Sequence, residues 1–359
     1  MRTLVNNGIT FTYPDAVVFA YNPCIVMATG NNLSFLRAAV RYKTVEKADF
    51  AAYNKTAYAD IRNFMQGKFD GADFAPNYDD TAKTTGTTIN GAQIILQAYA
   101  EDGTLLASTN TYCTVVWGAL AYGETFNGFR TAKMWRGFPF SFSFYTEGSG
   151  KLVVAPDGVM SKTVDMPFTP GIYSIPVAMS AKSYYDVYDF SGKLSQAAFS
   201  TTFDLTFSKV ASGTYTHKAR IYVGDNEYAD GVYLRWIDRH GFWQQYLFRA
   251  GDTKAAISSD GEFMRNNLLA YDQSYGFQGI NGRRQSYGRE DTREICAPLV
   301  DSDTFDILMD LPTSPVVDMY VDGGWIAVTI KAGTYTKSGE DLQDFICNVV
   351  MPEYFLQSL

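Results

Sequence analysis

The sequence has few of the residues from which metal centres and acid–base sites are commonly built. Its 359 residues include two histidines, His217 and His240, and four cysteines that lie far apart with no CxxC pair. A zinc site needs closely spaced ligand pairs and more histidine than this, so we expect no metal and no other cofactor. Cysteines so dispersed in a chain of this length are expected to be buried, reduced thiols.

Several longer patterns are missing as well. No apolar run approaches the roughly 18 residues of a membrane-spanning helix, so we expect no membrane insertion. The N-terminus has no basic segment followed by an apolar stretch, which predicts cytoplasmic synthesis without a signal peptide. Lysine and arginine number 30 against 38 acidic residues, a formal net charge of −8. Because nucleic-acid binding needs clustered positive charge, specific nucleic-acid binding is not expected.

Aromatic residues are abundant and favour β structure. The chain has 25 Tyr, 25 Phe and 5 Trp, with 30 glycines and 12 prolines spread along its length as turns between short strands require. Long helical periodicity, a βαβ alternation and a fixed-period repeat are all absent. We therefore predict a mainly β fold: two antiparallel β-sandwich or barrel-like domains with few short helices. Residues 180–192 interrupt the strand pattern, and we place the domains at 1–180 and 181–359.

The strongest local signal is a β-hairpin over residues 232–248. Two aromatic-rich runs flank the short polar connector Asp238-Arg239-His240-Gly241, with Trp236 and Trp243 on either side of it. Glycine at the end of the connector can adopt the positive φ that such a turn requires. We interpret Trp236, Asp238, Gly241 and Trp243 as scaffold. Similar turns are predicted at residues 101–104 and 322–324, and a short helix is predicted over residues 60–65.

Candidate catalytic groups are sparse. His240 beside Asp238 could form an oriented general base, but no GxSxG-type nucleophile turn accompanies it, so we interpret His240 as a turn residue. Paired carboxylates occur in four places and would suggest glycan cleavage only if two faced one cleft; they are Asp79-Asp80, Glu290-Asp291, Asp301 with Asp303, and Glu340-Asp341. We assign no catalytic residue.

A Tyr/Gly/Arg-rich insert at residues 271–293 is the best candidate contact surface. Tyr and Arg dominate protein–protein hot spots, and the insert carries seven candidate contact residues: Tyr271, Tyr275, Phe277, Arg283, Arg284, Tyr287 and Arg289. A solvated loop held by its own aromatic residues is an equally good interpretation. The polar segment 66–90 is predicted to be a second exposed contact loop.

The hairpin also resembles a known family. Its residues Leu234-Arg235-Trp236-Ile237-Asp238, Gly241, Trp243 and Tyr246-Leu247-Phe248 are similar to a hairpin of tail and baseplate proteins, of the distal-tail kind, in phages and prophages of Bacteroides-type bacteria. The opening strands of that family resemble Tyr13-Pro14 with Phe19-Ala20-Tyr21-Asn22-Pro23, and its closing strand resembles Cys347-Asn348-Val349-Val350-Met351-Pro352-Glu353-Tyr354. The resemblance implies a non-enzymatic virion structural protein that forms a ring with itself and contacts other tail proteins.

Two other functions remain open. In a carbohydrate-binding β-sandwich used for host adhesion, exposed Trp or Tyr rings would stack on a host surface glycan, although core packing is the favoured interpretation of Trp236, Trp243 and Trp325. A glycan-cleaving enzyme would need two carboxylates about 5–9.5 Å apart across a cleft. An exposed aromatic platform would favour the first and a facing carboxylate pair would favour the second.

Overall fold

The computed structural model describes residues 1–76, 78, 83–121, 124, 129–156, 162–166, 169–177, 202–209, 215–224, 228, 230–263 and 283–352. Strands account for 60% of the structure and helices for 8%, which confirms the predicted mainly β fold class. The chain divides into two compact units, Met1–Glu227 with Trp236–Tyr246 and Tyr228–Arg235 with Leu247–Leu359. The stretch 180–192, where we predicted the boundary, lies outside the described residues.

Short strands dominate the element order. In chain order they are β1 (Arg2–Asn6), β2 (Ile9–Tyr13), β3 (Val17–Phe19), β4 (Ile25–Thr29), β5 (Phe35–Tyr42), β6 (Thr44–Ala51), β7 (Thr56–Asp60), β8 (Lys83–Thr84), β9 (Thr88–Tyr99), β10 (Leu105–Val116), β11 (Phe129–Trp135), β12 (Phe140–Thr146), β13 (Gly150–Pro156), β14 (Lys162–Met166), β15 (Gly171–Val177), β16 (Thr202–Lys209), β17 (Tyr215–Gly224), β18 (Val232–Ile237), β19 (Trp243–Phe263), β20 (Arg283–Asp301), β21 (Val317–Val321), β22 (Gly324–Ile330) and β23 (Leu342–Val350).

The first unit contains a sandwich of two sheets. Their strand orders are β1-β2-β4-β7 and β3-β10-β9-β5-β6. Alternate residues of these strands point inward and form one core, to which Phe11, Val26, Leu36 and Ile94 contribute with no exposure. The predicted turn at residues 101–104 joins β9 to β10, with Gly103 at φ 81°.

Two further sheets complete the first unit. Their orders are β11-β17-β16-β13-β14 and β12-β15-β8. Most pairs are antiparallel as predicted, but β3 runs parallel to β10 and β11 runs parallel to β17. Strand β12 is buried along its whole length, so it does not show the polar and apolar alternation of a surface strand.

The second unit is built on a closed six-stranded barrel of order β18-β19-β20-β23-β22-β21. Along β23 exposed and buried residues alternate, and Phe345, Cys347 and Val349 lie in the core. The predicted turn at residues 322–324 joins β21 to β22 through Asp322 and Gly323, both at positive φ. That is the conformation of a type I′ hairpin.

The described residues contain two short α-helices, α1 (Arg62–Gln66) and α2 (Ser302–Met309). Helix α1 lies where a short helix was predicted. The following segment differs from the predicted exposed loop, because a 3₁₀ turn over Gly67–Phe69 buries both Lys68 and Phe69. No helix in the described part of the chain is long and apolar enough to span a membrane.

Candidate functional site

The carboxylate of Asp238 holds the tip of the β18–β19 hairpin. Its Oδ1 accepts the backbone N–H groups of His240 and Phe242, both at 2.9 Å, and its Oδ2 accepts Nε2 of Gln244 at 2.7 Å. The N–H of Gly241 donates to the Asp238 carbonyl at 3.0 Å, with Gly241 at φ 83°. Asp238 therefore forms the turn, and it does not orient the His240 ring as a catalytic carboxylate would.

This tip belongs to the first unit and packs closely there. Phe242 is buried with Val116, Tyr145 and Ile172 in one cluster. A Cβ on Gly241 would lie 2.9 Å from the Trp117 carbonyl oxygen, so only glycine fits.

The hairpin tryptophans are core residues, as the scaffold interpretation predicted. Trp236 is 0% and Trp243 2% exposed. The backbone N–H of Trp243 donates to the Ser143 hydroxyl at 3.2 Å. Neither indole ring can form an exposed platform for a sugar.

His240 pairs with a carboxylate distant in sequence. Its Nε2 lies 2.8 Å from Oε1 of Glu124, which also accepts Nη2 of Arg239 at 2.6 Å. Burial pushes the pKa of Glu124 upward, but the N–H of Ala121 and the charges of His240 and Arg239 outweigh it and lower that pKa. The arrangement is a charged hydrogen-bond network that links the hairpin tip to Glu124, whose carboxylate also accepts the N–H of Ala121.

Asp291 and Asp301 have structural partners, whereas Glu340 and Asp341 are exposed residues that precede β23. The pair at 79–80 lies outside the described residues. Glu290 and Asp291 are successive strand residues and so point to opposite faces of β20. Asp301 caps α2 by accepting the N–H of Thr304 at 2.8 Å. Within the described ranges, no three His, Cys, Asp or Glu side chains cluster in a way that could hold a metal ion.

All four cysteines are thiols. Cys24, Cys113 and Cys347 are buried, and burial raises the pKa of each to about 12. Cys296 is only half-buried, although burial raises its pKa too.

The most unusual feature is a two-stranded extension of β19 and β20, which we call the β-arm: residues 255–263 with residues 283–291. Its ladder runs from Ala255 opposite Asp291 to Phe263 opposite Arg283. Strand β23 pairs with β20 only from Thr292 onward, and a register shift between Ala250 and Thr253 separates the β-arm from the barrel portion of β19. Nine residues at about 3.4 Å each give an arm about 30 Å long.

The β-arm is exposed on both faces over residues 255–259 and 285–290, whereas Asp291 at its base is buried. Residues 251–259 are all exposed, as are residues 285–290 apart from the half-exposed Ser286. Ile257 is 71% and Tyr287 51% exposed. Among the described strands, none pairs with the outer edge of 255–263 or of 283–291. The N–H of Met351 donates to the Asp291 carbonyl at 2.8 Å, and the outer rows of backbone N–H and C=O groups beyond that point have no partner strand in the described part of the chain.

The predicted contact residues divide between the β-arm and the segment beyond it. Tyr271, Tyr275 and Phe277 lie outside the described residues. The backbones of Arg283 and Arg284 begin β20, and Tyr287 and Arg289 follow on the same strand. Residues 283–293 are thus strand, which corrects the interpretation of the whole insert 271–293 as a loop. Nε of Arg289 donates to Oδ1 of Asp291 at 2.7 Å.

A second surface feature is an aromatic group on β18, β21 and β22, formed by Tyr233, Tyr320 and Trp325. The ring centroids of Tyr320 and Trp325 are 5.1 Å apart, and those of Tyr233 and Trp325 are 5.8 Å apart. The Arg235 guanidinium lies 4.2 Å from the Trp325 ring centroid and donates to Asp318 at 2.8 Å. Tyr320 and Trp325 remain half-exposed.

Comparison with models of known protein families gave no match, and comparison with curated protein sequences gave none either.

Proposed function

We propose that this protein is a non-enzymatic structural subunit of a phage or phage-derived particle, of the tail or baseplate kind. The observation that carries the proposal is the β-arm, a ribbon about 30 Å long that is exposed on both faces over residues 255–259 and 285–290 and whose outer edges pair with no described strand. An isolated two-stranded ribbon is at best marginally stable in water. Such an element gains its stability when another chain covers it.

The rest of the fold supports a scaffold role. The β-arm continues two strands of the closed barrel of the second unit, and the first unit has its own well-packed sandwich core. Two acidic residues considered for catalysis from the sequence have structural partners, Asp238 in its turn and Asp301 at its helix. The resemblance of the hairpin to tail and baseplate proteins gives the particle type. The expected partners are further copies of the chain and other virion proteins.

The test is whether the chain is a component of a particle. Particles would be purified on a density gradient from a producing bacterial culture, labelled with an antibody against this protein and imaged by electron microscopy. We expect gold label at one fixed position, at the tail end of each particle. Label that stays in the soluble fraction while particles carry none would refute the proposal. An antibody against an abundant cytoplasmic enzyme is the matched control.

A second candidate, glycan binding in host adhesion, is supported only by the aromatic group. Half-exposed Tyr320 and Trp325 could stack on a sugar ring, with Arg235 and Asp318 nearby as polar groups. We expect Trp325→Ala to abolish binding to a glycan array if this function holds. Trp236→Ala is not a suitable control because it would open a cavity in the core. Tyr112→Ala, at an exposed position on β10, is the matched control.

A further inference from the structure

We propose that the β-arm pairs edge to edge with the β-arm of a second copy of this chain, β20 of one copy against β19 of the next. This inference rests on the proposed function and names the partner and the geometry of the contact. Each copy would use one edge for each neighbour. The contacts are therefore head-to-tail and close into a ring when the rotation between copies permits.

Strand direction makes this arrangement possible. Within one β-arm, β19 and β20 run antiparallel. When two copies stand side by side in the same orientation, the outer edge of β20 in one faces the outer edge of β19 in the next, and those strands are also antiparallel. The β-arms then continue a single antiparallel sheet, and the edge backbone groups that no described strand pairs with gain partners.

The charges of the two strands favour this pairing over its alternatives. Residues 255–263 contain two acidic residues, Asp260 and Glu262, and no Lys or Arg. Residues 283–291 contain three arginines against two acids, a net charge of +1. A two-fold contact would place like strands together, negative on negative or positive on positive. Only the head-to-tail contact places the negative strand beside the positive one.

The charged positions also lie at the same level of the β-arm. Glu262 is directly opposite Arg284, and Phe263 is opposite Arg283. Copies placed side by side therefore bring these levels together without a shift along the strands. One face of the resulting sheet would carry Ile257 and Tyr287, which share a face because Ile257 pairs with Arg289 and Tyr287 with Ser259. When the sheet continues from one copy to the next, Ile257 and Tyr287 of neighbouring copies form one apolar row, whereas on a single copy they are isolated.

The test uses reciprocal charge reversal in the full-length chain. One variant carries Asp260→Lys with Glu262→Lys, and the other carries Arg283→Glu with Arg284→Glu. Light scattering would give the mass of each variant, of their equimolar mixture and of wild type across a concentration series. A chain with Glu101→Lys and Asp341→Lys, both at exposed turn positions, is the control for added positive charge.

We expect wild type and the control to assemble alike, each reversed variant to need at least about tenfold higher concentration, and the mixture to assemble as wild type does. The mixture is decisive because charge repulsion within each β-arm persists in it, so only pairing between chains can restore assembly. Reversed variants that assemble normally would overturn the inference. So would a mixture that stays dissociated while a chain carrying all four substitutions assembles.

The two proposals fail separately. A wild-type chain that is monomeric at every concentration but labels the particles overturns the pairing of β-arms and leaves the proposed function standing. A chain that assembles through its β-arms but is absent from particles overturns the proposed function alone.

Discussion

Replacing Asp238 tests how the hairpin tip is held. Asp238 is 6% exposed, and its carboxylate accepts three hydrogen bonds, two from the backbone N–H groups of His240 and Phe242 and one from Gln244. Asp238→Ala leaves all three donors without this acceptor. Asp238→Asn keeps an oxygen that can accept both backbone groups, and rotation of the Gln244 amide can satisfy the new NH₂ group.

The expected magnitudes follow from these contacts. A buried donor that loses its acceptor destabilises a protein by about 1–3 kcal/mol, and the half-buried Gln244 amide can turn to water, so the two backbone donors left by Asp238→Ala should lower the free energy of unfolding by about 2–6 kcal/mol. Asp238→Asn loses only the charge assistance of its hydrogen bonds and should lower it by about 1 kcal/mol. The first value is comparable with the whole stability of many domains, which is about 5–15 kcal/mol.

Urea unfolding followed by tryptophan fluorescence is the assay. Four of the five tryptophans, including Trp236 and Trp243, belong to the first unit, so the signal reports mainly on that unit. Because the chain has two units, the transition of the first is fitted separately. Equal stability of Asp238→Ala and wild type, or an Asn variant as unstable as the Ala variant, would refute the account of the turn.

Three further predictions concern protonation, thiols and turns. The pKa of Glu124 is lower in the folded protein than the value near 4.5 of the unfolded chain, so the ionised carboxylate stabilises the fold above pH 4.5. This stabilisation is lost as the pH falls through the folded-state pKa. The melting temperature of Glu124→Gln should therefore depend less on pH below 4.5 than that of wild type. Iodoacetamide should label Cys296 first in the native protein, and mass spectrometry that finds Cys24 labelled equally fast would contradict the burial. Gly323→Ala should destabilise the chain by about 1 kcal/mol, because Gly323 has a positive φ but open space around it. At Gly241, which also has a positive φ, the added methyl group would in addition clash with the Trp117 carbonyl oxygen. Gly241→Ala should therefore lower the urea midpoint much further than Gly323→Ala.

Local patterns were sufficient to predict the fold class and the hairpins. Alternation of apolar residues predicted strands such as β9 and β10, and glycine at 103, 241 and 323 marked turns that all have positive φ. The parallel pairs β3–β10 and β11–β17 were not predicted, because strand direction depends on contacts distant in sequence. For the same reason the Glu124–His240 pair, 116 residues apart, had no local signal.

The β-arm was predicted only in part. Tyr287 and Arg289 were singled out by residue type, but the strand partner at 255–263 was missed because Ala255, Ala256, Ser258 and Ser259 lack the apolar alternation of a half-buried strand. A strand exposed on both faces has no core side to impose that alternation. The remaining signal was the long stretch after β18 without proline, which is compatible with one continuous strand.

The most direct test of the account is to remove the β-arm. Lys254 and Thr292 are directly opposed, so residues 255–291 can be replaced by Asn-Gly to close a two-residue hairpin that leaves the barrel strands in register. Light scattering across a concentration series would compare this chain with wild type, with circular dichroism to confirm that both retain β structure. We predict a defined assembly for wild type and a monomer for the shortened chain. Equal masses for the two chains would contradict the claim that the β-arm carries assembly.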